Sequence, residues 1–398
     1  MPGRLKMYTI DEIIDDLSFE KASKAACPDA APGDVIFFDI ETTGLSPSRS
    51  GLYLVGCMFS DGNNTILRQL FANDFGDEKE ALEAFAELMQ CKSHMVHFNG
   101  STFDIPYLKT KYEQHGIKAP FDGKKSCDIY RKLMPLKRLL CLKSMKQKAL
   151  EELSGVYRED VMTGGELIAV YKDYQKRVLL SRASGRSDEC YEAAQLRKTL
   201  LLHNNEDIKG MLPVACLLGI VSFLSGEFDV DEPRSEDGGI RVFVEPRFEI
   251  PPCLFEGKSP LRIMTSDDSG KLSVKVVLVN DRLRLFMKDY RDHYYIPSKD
   301  TAIHASLAGF IPSGEKKRAT PATCYVPCEG RFLTINEDDL PEGLPLIKRD
   351  YGEKTAFVRE EDISSDVLRA AVMYKLIGMI SDNDEISREK RAKRRGRT

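Results

Sequence analysis

The stretch D-I-E-T-T-G-L, residues 39–45, places two carboxylates directly after the apolar run Val35–Phe38. The apolar run predicts a buried strand. Because a strand turns alternate side chains to the same face, Asp39 and Glu41 should lie side by side. An unpaired buried carboxylate is strongly unfavourable, and a second like charge beside it adds to the cost. The pair therefore predicts a compensating positive charge between the two carboxylates.

The order of predicted elements indicates an α/β fold with a mixed sheet flanked by helices. Three strands, DVIFFDIE, GLYLVGCMFS and NNTILRQLFA, are separated by turn residues, and strand–helix alternation follows them. A length of 398 residues favours two domains. The predicted divisions are an N-terminal extension (1–30), the α/β domain (31–222), a β-rich accessory domain of unknown fold (223–385) and a basic disordered tail (386–398).

Two local predictions accompany these divisions. YTIDEIIDDLSFEKASKAA, residues 8–26, is interpreted as a short amphipathic helix outside the main core. In the β-rich part, Asn280-Asp281 is interpreted as a hairpin turn between two alternating strands.

Charge and cysteine usage limit the class of protein. The net charge of −4 gives the whole molecule no general attraction to polyanions, so any nucleic-acid surface must be local. Ten cysteines without a C-x-x-C pair favour reduced thiols and a cytoplasmic protein. We find no signal-peptide apolar region and expect no membrane span, hence no membrane partner.

Two further motifs carry acids that can join Asp39 and Glu41. FNGSTFDIPYL places Asp104 at the start of a predicted helix, and LLHNNEDIKGML places His203 and Asp207 four residues apart on one helical face. Two divalent cations about 3.5–4 Å apart would neutralise four such acids and assemble a phosphoryl-transfer site. Carboxylate oxygens are hard ligands, which favours Mg²⁺ or Mn²⁺.

These motifs resemble those of the DEDD, or DnaQ-like, 3′–5′ exonuclease superfamily, which has a ribonuclease H-like fold. D-I-E-T-T-G-L resembles the first motif, N-x3-F-D (Asn99, Phe103, Asp104) the second, and H-x3-D (His203, Asp207) the third. DIYRKLMPLKRLL, LSGVYRED and GGELIAVYKDY resemble connecting segments of its YprB-like branch. The resemblance covers roughly residues 33–220. It departs from the two main subfamilies because His203 stands at the spacing used by a tyrosine.

The resemblance implies a metal-dependent 3′–5′ exonuclease that hydrolyses terminal phosphodiester bonds by a two-metal mechanism. Its substrate would be single-stranded DNA or RNA with a free 3′ end, and its cofactor two Mg²⁺ or Mn²⁺ ions. His203 would accept a proton, and Glu41 would bind a metal and position the attacking water. The implied metal ligands are Asp39, Glu41, Asp104 and Asp207, and the implied substrate-binding residues are Thr42, Thr43, Leu45, Asn99 and Phe103.

Other interpretations stay open at this point. The same fold could carry a structure-specific endonuclease, or the chain could be a nucleic-acid-binding module with a vestigial nuclease site, although all four acids are intact. Arg158, Glu166 and Tyr171 are interpreted as structural.

Two basic clusters are either phosphate contacts or ordinary solvated surface. One is the strip Lys124–Lys148. The other is EKKR at residues 315–318, which has Tyr290, Tyr294 and Tyr295 in the same half of the chain.

Overall fold

The computed structural model describes residues 7–74, 76–160, 162–184, 191–250, 264–266 and 271–378. The predicted tail, 386–398, lies outside the described residues. The chain forms two compact units: unit 1 comprises Met1–Val221 with Phe248–Cys253, and unit 2 comprises Ser222–Arg247 with Leu254–Thr398.

Unit 1 is built on a six-stranded mixed sheet with the order β1-β4-β3-β2-β5-β6. Neighbours among the first four strands of this order are antiparallel, whereas β5 and β6 continue the sheet in parallel with β2. The strands are β1 (Tyr8–Ile14), β2 (Val35–Thr42), β3 (Leu52–Ser60), β4 (Thr65–Phe71), β5 (His94–His97) and β6 (Lys125–Asp128). The predicted mixed sheet is confirmed.

Apolar side chains of several helices pack on the sheet. Ala81, Leu82, Phe85 and Met89, at helical spacing on α2, pack in a core cluster with Ile36 and other strand residues. A second cluster joins β3 and β4 to aromatic residues of α6 and to α7. The helices are α1 (Asp16–Ala26), α2 (Glu78–Gln90), α3 (Asp104–Gln114), α4 (Ile129–Leu133), α5 (Gln147–Leu153), α6 (Gly164–Ala183), α7 (Tyr191–Cys216) and α8 (Leu218–Leu224).

The predicted helix over residues 8–26 is wrong in its first half. Residues 8–14 form β1, which pairs antiparallel with β4 along its whole length, and only Asp16–Ala26 is helical. Phe19 on α1 is fully buried, with its ring centroid 5.7 Å from that of Phe37. The helical part, α1, therefore packs within the core of unit 1, whereas β1 is an edge strand without buried residues. Local periodicity misled the prediction because hydrogen bonds to a distant strand decide the structure of an edge strand.

One helical stretch, Tyr191–Leu224, is long and apolar enough to cross a membrane by length and composition alone. The sequence prediction overlooked it. In this structure 61% of the apolar segment that meets this criterion is buried inside the protein. The stretch also carries His203 and Asp207. A buried core helix passes the same test of length and composition, so this one is weak evidence for a membrane span.

Unit 2 is β-rich, as predicted. An eight-stranded sheet has the order β15-β17-β16-β11-β9-β7, with β8 paired to β9 and β10 to β11, and a separate three-stranded sheet has the order β13-β12-β14. Residues 365–378 are helical. The strands are β7 (Phe228–Val230), β8 (Arg234–Glu236), β9 (Gly239–Pro246), β10 (Thr265–Ser266), β11 (Leu272–Phe286), β12 (His293–Ile296), β13 (Thr301–His304), β14 (Lys317–Arg318), β15 (Tyr325–Asn336), β16 (Leu346–Lys348) and β17 (Thr355–Arg359).

The predicted hairpin turn at Asn280-Asp281 is wrong, because both residues lie inside β11. The first part of β11 pairs with β9 and the second part with β15, where Asn280 faces Arg331 and Asp281 faces Gly330. Two successive partners keep this 15-residue strand extended through a dipeptide that favours turns in isolation.

Candidate active site

Asp39 and Glu41 lie at the carboxyl end of β2, on the strand face that contacts α7. Ile36, Phe38 and Ile40 alternate with them and are buried in the cluster beneath α2. Glu41 is only 8% exposed, whereas Asp39 is half-buried. The pairing with β3 shifts register between Glu41 and Thr42, so the strand ends in an irregularity directly after the second acid.

Asp104 reaches the same strand from the first residue of α3. Its Oδ1 accepts a hydrogen bond of 3.2 Å from the backbone N–H of Ile40, the residue between Asp39 and Glu41. The first turn of a helix favours a carboxylate because its free N–H groups carry partial positive charge. Asp104 is 6% exposed, so this bond holds it as a buried acid beside the other two.

The connection before α3 explains how the chain reaches this position. Asn99 has a φ of +60° and donates its backbone N–H to Oδ1 of Asp128 at 3.0 Å. A Cβ on Gly100 would lie 2.8 Å from the ring of His97, so glycine is required where the turn passes that histidine.

α7 brings His203 and Asp207 to the strand end. Nε2 of His203 lies 3.2 Å from Oδ2 of Asp207 and 3.7 Å from Oε1 of Glu41. The potential ligand atoms of these three residues all lie within 4.8 Å of one another. Asp39 and Asp104 lie outside this tight group.

Asn204, the neighbour of His203 on α7, makes the contact to Asp39. Its Nδ2 donates to Oδ2 of Asp39 at 3.2 Å, and its Oδ1 accepts from Nε2 of Gln69 at 3.0 Å. Asn204 is fully buried against β3, where a Cβ on Gly56 would lie 2.0 Å from its Oδ1. A glycine at position 56 is therefore needed for α7 to approach the sheet this closely.

Burial and mutual repulsion make the charged form of three acids unfavourable. Burial raises the pKa of Asp39 well above its usual range, and the charges of Asp104 and Asp207 raise it further. Burial and the charge of Asp207 raise the pKa of Glu41 to about 8. Burial raises the pKa of Asp104 to about 7. A divalent cation bound among these carboxylates would favour the ionised form of all three acids.

The pKa of Asp207 is shifted in the opposite direction, because this acid has positively charged partners. Burial would raise its pKa, but the hydrogen bond from His203 and the guanidinium of Arg158 hold that pKa below the usual range. The side chain of Arg158 is 6% exposed and donates to Oδ1 of Asp207 and to both carboxylate oxygens of Glu151. A Cβ on Gly210 would lie 1.8 Å from Oε1 of Glu151, so α7 has a glycine where this carboxylate packs.

A contact at Nδ1 fixes the orientation of the His203 ring. Nδ1 lies 2.6 Å from Oδ2 of Asp160, which turns Nε2 toward Glu41 and Asp207. Burial alone would lower the pKa of His203, but the neighbouring carboxylates, Asp207 first, raise it to about 9. The imidazole is therefore protonated at neutral pH, and its positive charge offsets part of the negative charge of the neighbouring acids.

The sequence-predicted substrate residues lie around the same strand end. Thr42 donates to the carbonyl of Gly44 at 2.9 Å, and Thr43 accepts from the N–H of Gly51 at 2.8 Å, so both stabilise the loop after β2. Leu45 in this loop is 86% exposed. Phe103 packs on Tyr107, with ring centroids 5.5 Å apart, and the Tyr107 hydroxyl is bonded to Ser50 of the loop. The side chain of Asn99 accepts from Thr102 within its own turn.

Sequence reasoning missed Asn204 and Asp160 and gave an incomplete account of Arg158. A polar Asn204 beside an apolar helical run was the available signal for the first. Arg158 and Asp160 lie in Arg-Glu-Asp, a charged tripeptide that says nothing about its partners before the chain is folded. The structural interpretation of Glu166 agrees with the structure, since Glu166 accepts from Thr163 at the start of α6, and that of Tyr171 agrees because Tyr171 stacks on Tyr53.

The donor set suits a hard divalent cation. Its potential ligand atoms are mainly carboxylate oxygens, with one imidazole nitrogen within reach. For three of the four acids the ionised form is unfavourable unless positive charge is added. Mg²⁺ and Mn²⁺ prefer such oxygen-rich sites, and Mn²⁺ also accepts imidazole.

A family model described as the RNase_H superfamily matches residues 36–218, a range that contains Asp39, Glu41, Asp104 and Asp207. This match and the mixed sheet support a nuclease with a ribonuclease H-like fold. Among solved structures, the chain is similar to a family B DNA polymerase from the hyperthermophilic archaeon Pyrobaculum calidifontis, at 18% sequence identity and a TM-score of 0.36. That similarity covers 48% of this chain and 25% of the polymerase. No curated protein matches the sequence.

Proposed function

We propose that this chain is a metal-dependent 3′–5′ exonuclease that hydrolyses terminal phosphodiester bonds of single-stranded DNA or RNA. The convergence of Asp39, Glu41, Asp104 and Asp207 at one strand end carries the proposal. Burial and repulsion raise the pKa of three of these acids, and such an arrangement is costly unless cations bind there.

The four acids would hold two divalent ions, Mg²⁺ or Mn²⁺. Asp39, Asp104 and Asp207 would bind one of them together with Glu41, and Asp39 would be the main ligand of the other. When bound, two such ions supply an activated water and stabilise charge on the leaving 3′ oxygen. Asn204 keeps the Asp39 carboxylate in place, and Arg158 does the same for Asp207.

His203 would accept a proton from the attacking water. Asp160 holds Nδ1, so Nε2 is the atom that faces the reaction. In the acid cluster alone the imidazole is protonated, because its pKa is raised to about 9. Added positive charge beside it would lower that pKa and free the nitrogen near neutral pH.

The loop after β2 would meet the terminal nucleotide. Thr42 and Thr43 stabilise the loop, and Leu45 presents an exposed apolar side chain that can pack on a base. Phe103 lies on Tyr107, which is bonded to Ser50 of the same loop, so the buried Tyr107 links the second motif to this loop.

An end-labelled oligonucleotide tests the direction and mode of cleavage. A 5′-labelled single strand with a free 3′ end should give a ladder that shortens stepwise, and the reaction should need Mg²⁺ or Mn²⁺. The same strand with a blocked 3′ terminus should stay intact. Matched DNA and RNA strands then define the preferred sugar.

Two variants give the assay its control. Asp104→Asn should abolish hydrolysis with the fold retained. Asp122 is an exposed acid outside the cluster, so Asp122→Asn should leave the rate unchanged. Internal cutting of the blocked strand would identify an endonuclease instead. A chain that binds the strand but hydrolyses none of these substrates with either metal would be a binding module.

A further inference from the structure

The three-stranded sheet of unit 2 carries an aromatic ring with two cations close to it. On β12, Tyr294 pairs across the sheet with Ile303 and Arg318. The guanidinium carbon of Arg318 lies 4.5 Å from the centroid of the Tyr294 ring, and Nζ of Lys316 lies 5.5 Å from it. On the opposite face of the sheet, Tyr295 pairs with Ala302 and Lys317 and donates to Asp300.

The cations around Tyr294 are not neutralised by carboxylates. Arg318 donates to the carbonyl of Arg291 at 3.1 Å, and Lys316 donates to the carbonyl of Ala308. Across the residues that the structure describes, we find no carboxylate within 4.0 Å of the charged groups of Arg291, Lys316 and Arg318. Other arginines of unit 2, namely Arg241, Arg331 and Arg349, each pair with an acid.

An exposed aromatic side chain lies on the adjoining loop. Phe310 is 88% exposed, and Leu307, three residues earlier, is 58% exposed. The bond from Lys316 to Ala308 ties this loop to the Tyr294 ring. A large exposed apolar side chain beside unneutralised cations is typical of a binding surface.

We propose that this surface, defined by Arg291, Tyr294, Phe310, Lys316 and Arg318, binds single-stranded nucleic acid. Three cations offer contacts to phosphates, and the Phe310 ring offers a face on which a base can stack, the combination that single-strand-binding proteins use. A duplex hides its base faces and would leave Phe310 uncovered. An acidic peptide would satisfy the cations but would not match the aromatic ring.

This surface goes beyond the proposed hydrolysis and rests on the proposed function only for the class of ligand. We would measure its binding without cleavage, using the full chain in EDTA and fluorescence anisotropy of a labelled oligothymidylate of about 30 nucleotides. Affinity would be recorded over a series of NaCl concentrations. Hydrolysis of a short strand with Mn²⁺ would be measured separately, so that failure of the surface and failure of the nuclease are distinguished.

The double variant Arg291→Ala/Arg318→Ala should weaken binding and reduce the slope of log affinity against log salt by about 1.4, since each lost phosphate contact on a single strand removes about 0.7. The matched control, Arg282→Ala/Arg331→Ala, removes the same charge from cations that already pair with Glu329 and Glu360. It should leave the slope unchanged. The basic tail is present in every variant and contributes equally.

Phe310→Ala should weaken binding about tenfold without changing the salt slope, because stacking releases no counterions. Its exposure means that the unfolding temperature should not change. Equal salt slopes for the double variant and its control, or full affinity in Phe310→Ala, would overturn the proposal. Loss of affinity in the double variant with normal hydrolysis of short strands would support it independently of the active site.

Discussion

Glu41→Gln should stabilise the metal-free chain at alkaline pH and do much less at acidic pH. The pKa of Glu41 is raised from 4.5 to about 8, because burial and the charge of Asp207 disfavour its ionised form. Between these two values the folded state binds more protons than the unfolded state. The free energy of unfolding therefore falls as the pH rises through this window, and an uncharged glutamine removes that loss.

The size of the effect follows from the same shift. Each pKa unit corresponds to about 1.4 kcal/mol, so ionising Glu41 between pH 5.5 and 8 costs the folded state at most about 3 kcal/mol. Removing this negative charge also lowers the pKa of His203, which offsets part of the gain. We expect the stability of Glu41→Gln relative to the wild type to rise by about 1–3 kcal/mol over this range.

Urea unfolding in EDTA at the two pH values, followed by far-ultraviolet circular dichroism, measures this difference; the chain contains no tryptophan for a fluorescence signal. Glu78→Gln is the matched control. Glu78 is 5% exposed, but Lys111 lies 3.0 Å from it, so the variant should lose stability at both pH values because a buried lysine is left unpaired. An equal loss of stability in Glu41→Gln at both pH values would refute the reasoning.

Three further predictions concern the residues around the acids. His203→Ala should slow hydrolysis by about 10²–10⁴ if the imidazole accepts a proton; a large fall in Mn²⁺ affinity by calorimetry would show a metal ligand instead. Arg158→Gln should lower the free energy of unfolding by about 3–5 kcal/mol in urea, since it breaks a buried ion pair, whereas Arg177→Gln, which is 36% exposed, should cost under about 1 kcal/mol. Gly56→Ala should displace Asn204 and reduce both stability and Mn²⁺ affinity; wild-type affinity would show that Asp39 does not need that amide.

The α/β fold class and the set of acids could be predicted because both leave local signals. Val35–Phe38 is a continuous apolar run, and a two-residue repeat places Asp39 and Glu41 on one face whatever else the chain does. The helical repeat likewise places His203 and Asp207 on one face. Their convergence with Asp104 was predictable only through the order of the three motifs, because no local signal brings α3 and α7 to the end of β2.

Pairings between distant segments could not be predicted in this way. Residues 8–14 form a strand because β4 offers an open edge, and Asn280-Asp281 stays extended because β9 and β15 hold β11 in register. Such hydrogen bonds depend on the position of a partner, which single-sequence periodicity does not contain.

By itself, the sequence determined which acids this protein has and which of them share a strand or helix face. The tertiary structure decided which charges surround each acid: Asp207 has Arg158 and His203 beside it, whereas Asp39 has an amide from Asn204 and three neighbouring carboxylates. The physical reason is that the cost of a charge depends on burial and on the other charges within a few ångströms. Those distances exist only after α7 has packed on the sheet, where Gly56 and Gly210 let it approach.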